Sequence, residues 1–109
     1  MRFVIFLAAL AVPGIAAACD PAEAEGRWLN AEDQGIILGT EMRDGVPTFV
    51  VDGITWDSVD STTRRGMFVT FECMIAGTDG VLAEAQAVDD RGRAVARWDG
   101  VRSKVEILR

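Results

Sequence analysis

Carboxylates are the reactive groups this chain has in quantity: seventeen Asp and Glu stand beside eleven basic residues, with no histidine and no tyrosine. Without imidazole there can be no Ser-His or Cys-His nucleophilic pair and no zinc site built on histidine. Without tyrosine there is no phenolic acid or base, and two cysteines fall short of a four-thiolate metal site. Two carboxyls can cleave a glycoside when they face each other about 5 to 9 Å apart across a cleft. Asp89-Asp90 is the adjacent pair that suggests such chemistry, but the run Asp89-Asp90-Arg91-Gly92 reads as a solvated turn. Neither that run nor Asp57-Ser58-Val59-Asp60 has the alternating oxygen spacing of a calcium loop. Ser103 and Lys104 are neighbours, so on a strand they point to opposite faces and cannot act as a nucleophile and base. The glycines fall singly, with neither Gly-x-Gly-x-x-Gly nor Gly-x-x-x-x-Gly-Lys spacing to cradle a phosphate. The expectation is a chain that is not an enzyme, with no metal and no cofactor.

The remaining reactive side chains are Cys19 and Cys73, and their chemistry depends on what precedes them. Met1-Arg2 supplies a positive charge, Phe3 to Val12 is an unbroken apolar run, Pro13-Gly14 breaks a helix, and Ala16-Ala17-Ala18 provides small residues before Cys19. That order is the order of a cleavable signal peptide. A spanning helix would need about 20 apolar residues, and this run ends after ten. Residues 1–18 are therefore expected to be removed on export, leaving residues 19–109 in the periplasm or secreted. In an oxidising compartment Cys19 and Cys73 can pair, and closing a loop of this length adds about 4 kcal/mol in the chain-entropy description. The other fate of Cys19 is lipidation, which would anchor the chain to a membrane and leave Cys73 a free buried thiol. A bacterial lipoprotein signal resembles Leu-Ala-Gly-Cys, and Ala16-Ala17-Ala18-Cys19 lacks its leading large aliphatic residue, so the disulfide is favoured. In a third alternative, cleavage follows Ala24 and Cys73 is simply a small hydrophobe.

Loss of Arg2 with the leader leaves ten bases against seventeen acids. Such a surface repels nucleic acid, whose binding needs clustered Lys and Arg. The charge is also uneven. Ten acids and two bases lie in residues 19–60, and seven acids and eight bases lie in residues 61–109, which gives the surface a dipole. Arg in preference to Lys, with abundant Ala and Gly, fits a GC-rich bacterial genome.

The elements that must position these groups follow from periodicity. Residues 19–35 are polar and acidic with Trp28 and Leu29 as their large apolar side chains, and read as a loose lead pinned by Trp28. Residues 36–109 form one globular domain. Ile36–Met42 and Val46–Asp52 flank Asp44-Gly45, a strong hairpin signal, and a two-residue turn pairs Met42 with Pro47, Thr40 with Phe49 and Leu38 with Val51. Val81–Val88 and Arg93–Trp98 form a second hairpin. A four-residue loop there sets Ala87 against Ala94, Ala85 against Ala96, Ala83 against Trp98 and Glu84 against Arg97. Its alanine face is too shallow to be a core alone and calls for bulky side chains against it. Asp57 to Ala76 supplies them: Asp57 or Ser58 caps, Val59, Thr63, Met67, Phe71 and Met74 form a stripe, and Gly77 stops the helix. Val105, Ile107 and Leu108 mark a short last strand. The expected fold is α+β, a small antiparallel sheet with one helix on it in the order β-β-α-β-β with a short final strand. The alternative bends Arg65-Gly66 into a hairpin and makes an all-β sandwich, which the regularly spaced X-Gly turns would also suit.

Three residues stand out for recognition. Arg64-Arg65 could pair with an anionic group on a partner, against the competing reading of a solvated helix face or a bond to Asp60. Trp28, alone in a polar lead, could offer flat apolar area, whereas Trp56 and Trp98 read as core. Three functions compete: a non-enzymatic binding domain of the bacterial envelope with a protein partner, an inhibitor of an extracytoplasmic hydrolase, and a small carboxylate-dependent hydrolase.

Overall fold

Asp44 and Gly45 hold positive φ angles of 53° and 79°, the backbone that a two-residue hairpin turn demands and that Asp and Gly tolerate. They join strands β1 (Ile37–Arg43) and β2 (Val46–Val51). The structure, a computed structural model, describes residues 19–109; the expected leader, residues 1–18, lies outside the described residues. The pairs Met42–Pro47 and Thr40–Phe49 form as expected, but Val51 faces Ile37 and not Leu38. A bulge between Ile37 and Gly39 makes the difference. It lets the strand bury Ile37 while Leu38 turns outward, because one inserted residue exchanges the faces of a strand.

The expected single helix over 57–76 is two helices, α2 (Gly53–Ser58) and α3 (Ser61–Ala76); with α1, described below, the helices are counted in chain order. Two aspartates set the division. The Asp52 carboxylate accepts the Thr55 amide at 3.0 Å and the Thr55 hydroxyl at 2.7 Å, starting α2. Asp60, not Asp57 or Ser58, starts α3 by accepting the Thr63 amide at 2.8 Å, and between them Val59 is extended. A side-chain acceptor for the orphan amides of a first turn stabilises a helix start by about 1 kcal/mol. The stripe is rotated from the expected one: Phe68, Phe71 and Cys73 are buried, Met67 and Met74 are partly so, and Thr63 is exposed. Gly77, at φ 87°, ends α3 as expected.

Two helices between β2 and the next strand allow the chain to return in the same direction. Strands β3 (Glu84–Asp89), β4 (Ala94–Asp99) and β5 (Lys104–Ile107) complete a five-stranded sheet in sequential order. The β2–β3 pair is parallel and the other three pairs are antiparallel, so the sheet is mixed and not wholly antiparallel. The β3–β4 register also departs from expectation by a slide of two residues, pairing Ala87 with Ala96, Ala85 with Trp98, Gln86 with Arg97 and Glu84 with Asp99. Half of the slide arises at the turn, where Asp89 joins the ladder through its amide to Arg93 O and shortens the loop to Asp90-Arg91-Gly92. The other half is a bulge beyond Val88. A slide of two preserves the face, so Ala85, Ala87, Ala96 and Trp98 still point inward, but Ala83 is exposed and Glu84 no longer meets Arg97.

The largest departure is at the start. The expected loose lead is a thirteen-residue helix, α1 (Pro21–Asp33). Asp20 caps it by accepting the Ala22 and Glu23 amides at 3.0 and 3.4 Å, and Pro21 occupies the first turn, where its missing N–H costs nothing. The order of elements is therefore α-β-β-α-α-β-β-β. Helices α1 and α3 pack on each other and cover one face of the sheet through aromatic rings. Phe49 of β2 meets Trp28, Phe68 and Phe71 at centroid distances of 5.2, 4.9 and 5.1 Å. Trp28 stacks on Phe71, and Phe68 on Trp98. The alanine surface of β3 and β4 is buried in the same cluster, the bulk it lacks being supplied by these rings. Glu72 of α3 ties the layers at the far side, accepting Leu82 N at 2.9 Å and Trp98 Nε1 at 3.2 Å. Gly100 fits there because any Cβ would run into the Leu82 carbonyl.

Cys19 and Cys73 form a disulfide with Cα atoms 5.9 Å apart and 54 residues of separation. It fastens the start of α1 to the last turns of α3. Loop-closure entropy for a link of this span corresponds to about 4 kcal/mol, a large part of the stability of so small a domain. Reduction, or Cys73→Ser, is expected to lower the thermal midpoint by roughly 15 to 30 °C, and melts with and without reductant measure it.

Candidate binding site

The sequence-selected residues do not gather in one place. Arg64 folds back on α2, its Nη2 and Nε donating to Trp56 O at 2.8 and 3.3 Å with the guanidinium 5.0 Å from the Trp56 ring centroid. Arg65 donates to Ser103 O at 3.4 Å and lies 5.9 Å from the Trp98 ring centroid. Both arginines thus bind the chain to itself. Trp28 is 4% exposed and sits in the aromatic cluster, so it offers no flat outer face. Its burial follows from the helix that the lead forms, which carries the ring inward against Phe71 and Phe49.

Of the expected solvated turn, Asp90-Arg91-Gly92 is exposed as read, but Asp89 is the last residue of β3 and is buried. Asp89, 4% exposed, accepts the Arg91 and Arg93 amides at 2.9 Å each and the Arg93 guanidinium at 3.0 Å. Asp90 reaches across to accept the Gly53 amide at 3.1 Å. With Asp52 and Asp57 they line a cleft of about 620 Å³ where β2 and β3 end in parallel. The Thr55 hydroxyl and amide hold the Asp52 carboxyl below its ordinary range. The Arg93 amide does the same for Asp89, outweighing burial, which acts to raise it. Both are therefore fixed anions at neutral pH whose lone pairs brace loops, the opposite of a proton donor with a raised pKa. Among the described residues no three His, Cys, Asp or Glu are placed to hold a metal ion.

A second concavity has a different character. Along α1, Ala22, Glu25, Leu29 and Glu32 recur at three- and four-residue spacing on one side of the helix. That side, with Thr40 of β1 and Met74 and Ile75 of α3, encloses a groove of about 590 Å³. Trp28 is also among its lining residues, while the indole Nε1 is buried and has no acceptor among the described residues. Of the apolar side chains that line it, Leu29 is 53% exposed and Ile75 50%. Glu25 and Glu32 supply negative charge at the groove. Arg27, the base within α1, is engaged by Glu23 at 3.3 Å. Sequence reasoning missed this site because it needed α1 to exist; the signals were Asp20-Pro21 as a helix start and the 22-25-29-32 spacing after it.

No protein-family model matches the sequence, and comparison with curated proteins and with solved structures finds no match. No helix among the described residues is long and apolar enough to cross a membrane.

The aspartates set an acid limit on stability. Their folded pKa values lie below the unfolded value, so the contribution is complete above about pH 4 and is lost as pH falls through the folded values. Asp89→Asn is expected to lower the thermal midpoint near pH 7, and its difference from the unsubstituted protein should shrink as pH falls below the unfolded value. A midpoint-against-pH series for the two proteins checks this.

Proposed function

We propose that this chain is an exported, non-enzymatic binding domain of the bacterial envelope or periplasm, with the groove between α1, β1 and α3 as its contact surface. The observation that carries the reading is that Leu29 and Ile75, each at least half exposed, line one groove together with Met74 and two carboxylates. Scattered single hydrophobics are ordinary on a protein surface, whereas apolar residues grouped around a concavity and rimmed by polar groups mark interaction sites. Export rests on the leader-like residues 1–18, and the Cys19–Cys73 disulfide suits an oxidising compartment. Inhibition of an extracytoplasmic hydrolase is the special case in which the bound partner is an enzyme.

A photocrosslinking residue placed at position 29 or 75 in intact cells is expected to yield a discrete protein adduct. The same residue at 54 or 101, where Ile54 and Val101 are exposed elsewhere, should give none. Equal labelling from all four positions, or none at all, would remove the binding reading. Intact-mass analysis of the same material separates the fates of the first cysteine. A chain starting at Cys19 and lighter by two hydrogens carries the disulfide, and a gain of acyl mass marks a lipid anchor. Retention of Met1 with both thiols reduced in the cytosol would overturn export.

A further inference from the structure

Among the described residues β1 has a neighbouring strand on one side only, so its other side presents backbone N–H and C=O groups without ladder partners. Such an edge is a template for a further strand. Edges that proteins protect are short, covered or charged. β1 runs for seven residues, and of its two charges Glu41 and Arg43 are already paired to each other at 3.3 Å. The groove opens beside this edge, since Thr40 of β1 lines it together with α1. An added strand would therefore send alternate side chains towards the groove and the rest to the face that α1 and α3 leave open.

We infer that the β1 edge binds an extended polypeptide segment, apolar at its centre and flanked by Lys or Arg, as an additional strand whose alternate side chains enter the groove. This rests on the binding reading above and names its partner class. Charge selects the occupant: Glu25 and Glu32 bracket Leu29 on the groove side of α1, and residues 19–60, which contain both α1 and β1, hold ten acids against two bases. Helix positions 25 and 32 are about 10 Å apart along the axis. Strand positions i and i+4 are about 13 Å apart, a difference that long basic side chains can absorb. The pattern is thus Lys/Arg-x-apolar-x-Lys/Arg, with the apolar residue against Leu29. A second copy of this chain fits poorly, because it would bring the same acids to the same rim and like charges facing one another destabilise a contact.

The test uses the natively purified, disulfide-bonded protein and three fluorescein-labelled peptides. They are Gly-Lys-Thr-Leu-Thr-Lys-Gly, the same peptide with Glu for both Lys, and the Lys peptide N-methylated at alternate backbone positions. The Lys peptide is expected to bind saturably and to weaken as salt rises. The Glu peptide, the methylated peptide and the Glu25→Lys/Glu32→Lys variant should each bind at least about tenfold more weakly. Amide exchange of residues 38–42 should slow when the Lys peptide is added. Glu25 is exposed and Glu32 half-buried, and neither side chain makes a hydrogen bond among the described residues, so the variant's thermal melt should stay close to the parent's, and the methylated peptide tests the edge without any variant. Equal binding of the methylated peptide, unchanged exchange in β1 on binding, dimerisation through β1 without peptide, or no binding up to about 1 mM would each overturn strand addition. If that happens while position-specific crosslinks at 29 and 75 persist, the binding reading stands without it; if the crosslinks also fail, both fall.

Discussion

Phe49 is the side chain through which the two layers are joined. It sits at the middle of β2 and touches the ring of α1, Trp28, and two rings of α3, Phe68 and Phe71. In a chain of this size the buried area is small, so stability concentrates in the few residues that contribute most of it. Beside Phe49 the sheet is shallow: Ala85, Ala87 and Ala96 are fully buried, and they share one cluster with Phe68 and Phe71 of α3 and Trp98 of β4. A sheet faced with larger side chains would push α3 away and uncouple Phe68 from Trp98, whose planes are within 7° of parallel.

Around that seam, the termini of elements are held by carboxylates and not by hydrophobic contact. Asp20, Asp52 and Asp60 each begin a helix. Asp89 closes the β3–β4 turn, Asp90 ties that turn to α2, and Glu72 joins α3 to Leu82 and Trp98. The acidity of the chain is thus partly architectural. Carboxylates that accept two or three hydrogen bonds are committed to their loops, and this separates them from Glu25 and Glu32, which stand at the groove. The same residue type performs two jobs, and burial and hydrogen bonding distinguish them.

The position of the groove follows from the same construction. The disulfide pulls the first turn of α1 onto the end of α3, and Trp28 anchors the helix at its middle, so the outer side of α1 is left facing the β1 edge with Leu29 between two glutamates. The bulge in β1 separately turns Leu38 out while Ile37 goes in. The apolar surface at this end is therefore a by-product of the devices that hold α1 down, and its charge is inherited from the acidic first half of the chain.

Local chemistry in the sequence was enough for the parts of the fold that depend on few neighbours. Asp44-Gly45 dictates its hairpin because few other residue pairs accept two positive φ angles, Gly77 ends α3 for the same reason, and the alternation of Ala85, Ala87, Ala96 and Trp98 selects an inward face whatever the register. Tertiary contacts decided the rest. The choice between Asp57 and Asp60 as a cap turned on Arg64 reaching Trp56 O and on Asp52 having started another helix. The two-residue slide of β3 against β4 turned half on Asp89 finding Arg93 and half on the bulge beyond Val88. The parallel pairing of β2 with β3 depended on the length of two helices that periodicity had read as one. For α1 both levels were needed: Asp20-Pro21 marks its start, but its apolar side is narrow, and only burial of Trp28 among Phe49 and Phe71, with the link to Cys73, makes that stretch more stable as a helix than as a solvated lead. The groove exists only once that helix does, which is why no reading of single residues could find it.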